Sequence, residues 1–286
     1  MNLSMYSGFS DIVKKDGIKK AAETARKLGF DSVEFLDVQS SPPLIADEAT
    51  AKEYRRILED NGLTVACFSF GINVFDPENP DYDSDTAVKQ LIHSAKMAAI
   101  LGSPYFHHTL VFGLRKKENH VSDIDFVING LLPHTCKVAD VCDSLGVTTL
   151  YEPQGMYING ASNFPAFYRA MKGLGKNVGV CGDTGNPLFC DWRPEDFYRD
   201  MISEIKHVHI KDYRIYTDNA PDGVKSYTSI GGTRIGPVLL GKGDINIPYC
   251  LDLLKNSGYK GAISLEGEYS PIDDITFDIE YMNAYR

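Results

Sequence analysis

Short apolar runs with strand character alternate with stretches of helical spacing from one end of the chain to the other, and this limits the fold more than any other feature. Strands are expected at Leu3 to Phe9, Ser32 to Leu36, Leu63 to Phe70, Pro104 to Val111, Val147 to Tyr151, Val178 to Gly182, His207 to Lys211 and Ala262 to Leu265. Helical spacing falls between them, at Ile12 to Leu28, Asp47 to Asn61, Ser84 to Leu101, a long region up to Leu145, Phe164 to Leu174, Pro194 to Ile202 and Ile247 to Asn256. Gly29, Gly62, Gly102 and Gly146 stand where four of these helices should stop. Eight alternations within 286 residues predict an α/β fold, a single (β/α)8 barrel spanning 1–286 as one domain. The dinucleotide-binding alternative lacks its Gly-x-Gly-x-x-Gly after the first strand. A Gly-rich loop is expected from Asp212 to Asp244, either a lid over a substrate or a merely mobile connection.

Composition narrows the class of partner. A net charge of −10 disfavours nucleic acid, whose phosphates call for clustered Lys and Arg, and anionic membrane surfaces as well. No run approaches the roughly 18 apolar residues of a membrane span. The opening Met-Asn-Leu-Ser-Met-Tyr-Ser has no signal-peptide pattern, so a cytoplasmic location is expected. None of the six cysteines forms a Cys-x-x-Cys pair, which suits reduced, buried thiols rather than disulfides or cysteine-bound zinc.

The chemistry of such barrels collects at the C-terminal ends of the strands. Those ends hold Glu34, His107 or His108, Glu152, Asp183, His209 and Glu266, the last four on strands five to eight, which are barrel neighbours. Three carboxylates and one imidazole make an oxygen-rich donor set suited to Mn²⁺, Mg²⁺ or Co²⁺. Taken singly, each has a plainer reading: Glu152 as a solvated carboxylate, Asp183 as a turn residue. In Lys206-His-Val-His-Ile-Lys-Asp212, alternation puts His207, His209 and Lys211 on one face. His207, two residues deeper than His209, is expected to be a buried supporting residue. Lys211 either contacts a substrate oxygen or pairs with a neighbouring carboxylate. Of the adjacent pair His107 and His108, one should face the site and the other the helices, with His107 favoured for the site. Glu34 is a candidate for substrate hydroxyls, and Trp192 for stacking on a sugar ring or for anchoring a surface.

Lys206 to Asp212, Gly241-Lys-Gly-Asp-Ile-Asn-Ile-Pro248 and Gly258-Tyr-Lys-Gly-Ala-Ile-Ser-Leu-Glu266 resemble the sugar phosphate isomerase/epimerase family, the xylose-isomerase-like TIM barrels. The resemblance spans essentially the whole chain. It implies that Glu152, Asp183, His209 and Glu266 hold one divalent metal, commonly Mn²⁺, with Mg²⁺, Co²⁺ or Zn²⁺ as alternatives and no organic cofactor. It also implies that Glu152 and Glu266 act as the catalytic acid and base, removing and returning a proton beside a carbonyl. Family members are often oligomers, which extends the expectation of a homo-oligomer to this chain. The sequence departs from the ketose epimerases at Asn186, where they often have a substrate-binding histidine, and at Ile158, where they often have a glutamate.

These readings converge on a divalent-metal-dependent isomerase or epimerase acting on a sugar or polyol through an ene-diolate. The alternative is a metal-dependent lyase, such as a dehydratase of a keto-inositol or keto-sugar, which begins with the same proton abstraction. A non-catalytic sugar-binding barrel ranks lower because all four metal positions are intact. An endonuclease-like DNA-repair barrel would need further ligands and a basic face.

Overall fold

The computed structural model describes residues 2–39, 42–76, 79, 81–111, 126–153, 160–218, 220–268 and 275–285. Eight parallel strands close into a barrel: β1 (Asn2–Met5), β2 (Ser32–Val38), β3 (Thr64–Gly71), β4 (Tyr105–His108), β5 (Thr148–Tyr151), β6 (Val178–Asp183), β7 (Ile205–Ile210) and β11 (Ala262–Leu265). Neighbours run in the order β1-β11-β7-β6-β5-β4-β3-β2, and β1 pairs with both β2 and β11 to complete the ring. The barrel expected from the sequence is the barrel found.

Helices flank the strands: α1 (Phe9–Asp16), α2 (Ile18–Lys27), α3 (Glu48–Asp60), α4 (Ser84–Leu101), α5 (Leu132–Ser144), α6 (Asn163–Gly173), α7 (Pro194–Met201), α8 (Ile247–Asn256) and α9 (Ile275–Asn283). Asp47 caps α3 and Asp83 caps α4, each carboxylate accepting from a first-turn backbone N–H, which satisfies an otherwise orphaned donor. The single helix expected from Ile12 to Leu28 is two, because Gly17 takes φ 85°, a left-handed value that breaks the helix. The long helical region before Leu145 is described only from Phe126 onward, through a π-helical turn into α5.

The largest departure lies between Asp212 and Asp244. The expected loop is mostly a three-stranded antiparallel sheet, β8 (Asp212–Tyr216), β9 (Tyr227–Thr228) and β10 (Arg234–Val238), ordered β8-β10-β9 outside the barrel. Its glycines hide strands as short as two residues from a reading by periodicity. Asp212 anchors the far end: one carboxylate oxygen accepts from the backbone N–H of Gly241 and Gly243, both at 2.9 Å. A side chain at position 243 would collide with that carboxylate, so Asp212 and the Gly-Lys-Gly-Asp stretch form one structural clasp.

Inside the barrel, side chains lie in layers. Cys67, Leu150 and Cys181 form a small apolar layer with Tyr105 against it. Cys181 pairs in register with His207, and Asp183 with His209, so each step of two residues along β6 and β7 raises the layer by one. Val208 and Ile210 turn outward into the main core between strands and helices, as the alternation requires.

Candidate metal centre

The expected four side chains meet at the top of the barrel. Glu152 follows β5, Asp183 ends β6, His209 lies on β7 and Glu266 follows β11. One ligand atom from each falls within 4.8 Å of all the others. His209 Nδ1 faces the three acids, 3.1 Å from Glu152 Oε2, 3.2 Å from Glu266 Oε2 and 4.0 Å from Asp183 Oδ2. Glu152 is 4% and Asp183 0% exposed.

Each carboxylate is aimed by its surroundings. Asp183 Oδ1 accepts from the backbone N–H of Gly185 (2.6 Å) and Asn186 (2.7 Å), the turn role the sequence offered as its plainer reading. That leaves Oδ2 turned into the cluster. Asn186 Nδ2 donates to Glu152 Oε1 at 3.1 Å, and Tyr6 stacks on His209 with ring centroids 4.8 Å apart. Lys211 Nζ sits 2.9 Å from Asp183 Oδ2 and 3.0 Å from Glu266 Oε2. Thr184 fixes the Lys211 backbone, its hydroxyl donating to Lys211 O (2.6 Å) and accepting from Lys211 N–H (2.9 Å).

The electrostatics follow from this crowding. Burial, reinforced by Glu266 and Glu152 against the pull of Lys211, raises Asp183 to about 8. Burial alone would raise Glu266 too, but the Lys211 ammonium and His209 hold it below the usual carboxylate range. Burial disfavours the cationic forms of His209 and Lys211. The Cys181 sulfur and the Glu34 and Glu266 carboxylates outweigh it at His209, and Asp183 and Glu266 outweigh it at Lys211, so both are held above their usual ranges. Burial pushes the Cys181 thiol up as well, so the carboxylates carry the anionic charge. The protons and the ammonium thus stand where a cation's charge is called for. Asp183 Oδ2 and Glu266 Oε2 accept no well-aligned hydrogen bond among the described residues, and two such buried oxygens beside an imidazole fit a hard divalent ion.

The deeper polar residues form a second group. Glu34 is 0% exposed, the third residue of seven in β2, and the strand continues to Val38 rather than stopping near it. Its carboxylate is enclosed by Ser69, Ser264, His207 and His209 and is not among the residues lining the cleft, which sets it below the cluster and apart from the substrate-binding role expected of it. Alternation places its side chain inside but does not reveal how deep. His207 is the buried supporting residue expected, donating from Nε2 to Glu34 Oε2 at 2.7 Å. His107 faces the interior and His108 the helices, where its ring meets Tyr151 edge-on at 5.0 Å. Because Ser69 gives its one proton to Glu34, His107 Nδ1 donates to Ser69 Oγ (2.9 Å), leaving Nε2 with no well-aligned hydrogen bond among the described residues, 3.5 Å from Glu152 Oε1.

Trp192 also moves from its expected place. It is 5% exposed, and its ring meets Phe197 of α7 edge-on at 5.2 Å, so it packs in the core instead of offering a face to a sugar. A bulky apolar ring after a strand reads the same in sequence whether it points up or outward. Ile158 lies outside the described residues. A cleft of about 930 Å³ that reaches the cluster at Glu266 is lined by Tyr6, Leu36, Lys211, Tyr213, Lys225 and Glu266 among others. Tyr6 and Tyr213 escape a reading based on strand-end charges because neither is charged nor at a strand end of the expected bounds. Tyr227 of the outer sheet and Lys225, two residues before it, both contact Glu268, two residues beyond Glu266, tying that sheet to the rim of the cleft.

A closed parallel barrel with an acid-rich, single-histidine cluster at its C-terminal mouth defines the class. The chain belongs to the xylose isomerase-like TIM barrel family, whose profile matches residues 22–285. Among solved structures it is similar to a xylose isomerase-like TIM barrel protein from Mycobacterium smegmatis in complex with magnesium (20% identity, 99% of this chain and 96% of that one, TM-score 0.73). It is also similar to 3-keto-D-glucoside 4-epimerase from E. coli (14%, 99% and 99%, 0.73) and to a probable 3-DHS dehydratase from Bacillus anthracis (14%, 99% and 99%, 0.71). At these identities the likeness is one of fold. A search of curated protein sequences found no match. Among the described residues no helix is long and apolar enough to cross a membrane.

Proposed function

We propose that the protein is a divalent-metal-dependent isomerase or epimerase that moves a proton beside the carbonyl of a keto-sugar or related polyol. One observation carries this reading: three carboxylates and one imidazole from neighbouring strand ends converge within 4.8 Å of one another, and one of them, Glu266, also lines a cleft. Glu152, Asp183, His209 and Glu266 would hold the ion, with Mn²⁺ the leading choice for an oxygen-rich set. Bound there, the ion supplies Lewis-acid stabilisation of the charge that develops on the substrate's carbonyl and adjacent hydroxyl. The chain's own residues do the rest. Glu152 and Glu266 remove and return the proton, each limited to one role at a time by its protonation state. The Lys211 ammonium, held beside Glu266, offers charge to a substrate oxygen at the rim. Asn186 keeps Glu152 oriented, and His107 Nε2 accepts from a hydroxyl next to Glu152. The single domain, cytoplasmic location and homo-oligomer expected from the sequence belong to the same proposal.

Incubation of the Mn²⁺-loaded protein with a keto-sugar panel in D₂O, followed by NMR, tests the reaction. Deuterium at the carbon beside the carbonyl, with all oxygens retained, supports isomerisation or epimerisation. Loss of water with the same exchange moves the assignment to a lyase, the activity named for the Bacillus anthracis neighbour. A protein that takes up no divalent cation and exchanges no substrate proton contradicts both.

A further inference from the structure

Glu34 is the most fully satisfied buried carboxylate of the barrel interior, and its partners come from three different strands. Ser69 of β3 donates to Oε1 at 2.6 Å, and Ser264 of β11 donates to Oε2 at 2.5 Å. His207 and His209 of β7 take one oxygen each, through Nε2 at 2.7 and 3.0 Å. A register irregularity between β2 and β3 falls at Val33/Glu34, where this side chain enters the interior. Ser4 of β1, fully buried, is in register with both Ser264 and Ser32.

A carboxylate cannot donate, so the Glu34–His209 contact requires a proton on Nε2. The opposite ring nitrogen, Nδ1, is the one aimed at Glu152, Asp183 and Glu266. Tyr6, stacked on the ring at 18° between planes, blocks rotation out of this orientation. We propose that Glu34 is a positioning residue: it holds the His209 imidazole with Nε2 protonated and Nδ1 presented to the cluster, so that the ring arrives prearranged for a divalent cation. This inference rests on the metal-binding reading above. The carboxylate–imidazole pairing also makes Nδ1 a better donor, an effect that in metal sites is worth about 10–100-fold in affinity.

The test reads metal binding and not turnover. Mn²⁺ titration of the wild-type chain first checks the underlying reading, since a chain that binds no Mn²⁺ ends that reading and this one for a separate reason. With binding in place, Glu34→Gln is expected to weaken Mn²⁺ affinity about 10–100-fold. Ser264→Ala, which removes a donor from the other oxygen, is expected to change it less than about threefold. Equal losses from the two variants would reduce Glu34 to a general structural role and overturn the proposal. If Glu34→Gln does not fold, ¹⁵N-labelled wild-type protein loaded with Mg²⁺ still decides. The proposal expects His209 to keep its proton on Nε2, and a spectrum with the proton on Nδ1 overturns it.

Discussion

Two carboxylate environments lie one above the other inside this barrel, and both meet the ring of His209. Below, Glu34 accepts from two hydroxyls and two imidazoles, and each of its oxygens is engaged twice. Above, three carboxylates share one ammonium, one imidazole, one side-chain amide and two backbone N–H groups, and two of their oxygens accept no well-aligned hydrogen bond among the described residues. Burial is nearly complete in both places, so burial does not separate structure from site. Satisfaction does. A saturated network stabilises one geometry, whereas like charges held together with donors to spare are stable only if something else arrives.

The comparison makes its largest prediction on turnover. Glu152→Gln and Glu266→Gln should each lower kcat by about 10²–10⁴, the usual contribution of a positioned acid or base, in an assay of keto-sugar interconversion. Stability should respond differently in the two layers. Glu34→Leu leaves two hydroxyls and two imidazoles without their acceptor and should destabilise the metal-free chain by about 3–5 kcal/mol in urea unfolding. Asp183→Asn keeps the oxygen that accepts from Gly185 and Asn186 and mimics the neutral acid that burial favours near neutral pH, so it should leave the metal-free chain about as stable as wild type. If Asp183→Asn destabilises as much as Glu34→Leu, the two layers do not differ as described.

A third prediction concerns pH. Asp183 is raised to about 8, and the His209 cation is favoured above its ordinary range, so the metal-free folded chain holds protons that the unfolded chain has released. The Asp183 contribution to metal-free stability is complete below its ordinary value near 3.8 and is lost as pH rises from there through about 8. That of His209 is lost only above its ordinary 6.5, since the folded state binds more protons than the unfolded across those ranges. A cation replaces those protons, so its uptake near neutral pH should release protons, and affinity should climb with pH up to at least about 8. Calorimetry of Mn²⁺ binding in buffers of different ionisation enthalpy measures this. Binding without proton release would show that the acids are already ionised.

How much of this was legible in the sequence depends on what alternation can express. Period-two patterning gave the barrel, the inward face of His207 and His209 and the split between His107 and His108, because those follow from side-chain direction alone. Depth does not follow from direction. The apolar run stops at Leu36 and so puts Glu34 near a strand end, yet β2 continues through the polar Asp37 to Val38, leaving Glu34 in the middle of the strand. Trp192 was placed by its loop, whereas its packing is decided by Phe197, contributed by the following helix. The outer sheet was missed because short strands amid glycines carry no period long enough to read. The smallest prediction follows from Trp192: Trp192→Phe should cost about 1–3 kcal/mol through lost packing and leave KM for a keto-sugar within about twofold. A large KM change with unaltered stability would return this residue to the substrate.

The central claim is that the upper layer is built for one divalent cation. Equilibrium dialysis of the purified, chelator-stripped chain against Mn²⁺, read by elemental mass spectrometry, tests it most directly. The wild-type chain should hold one ion, and an Asp183→Asn variant should stay folded but retain almost none. A folded wild-type chain holding no stoichiometric ion, or an Asp183→Asn variant that binds as well as wild type, would contradict it.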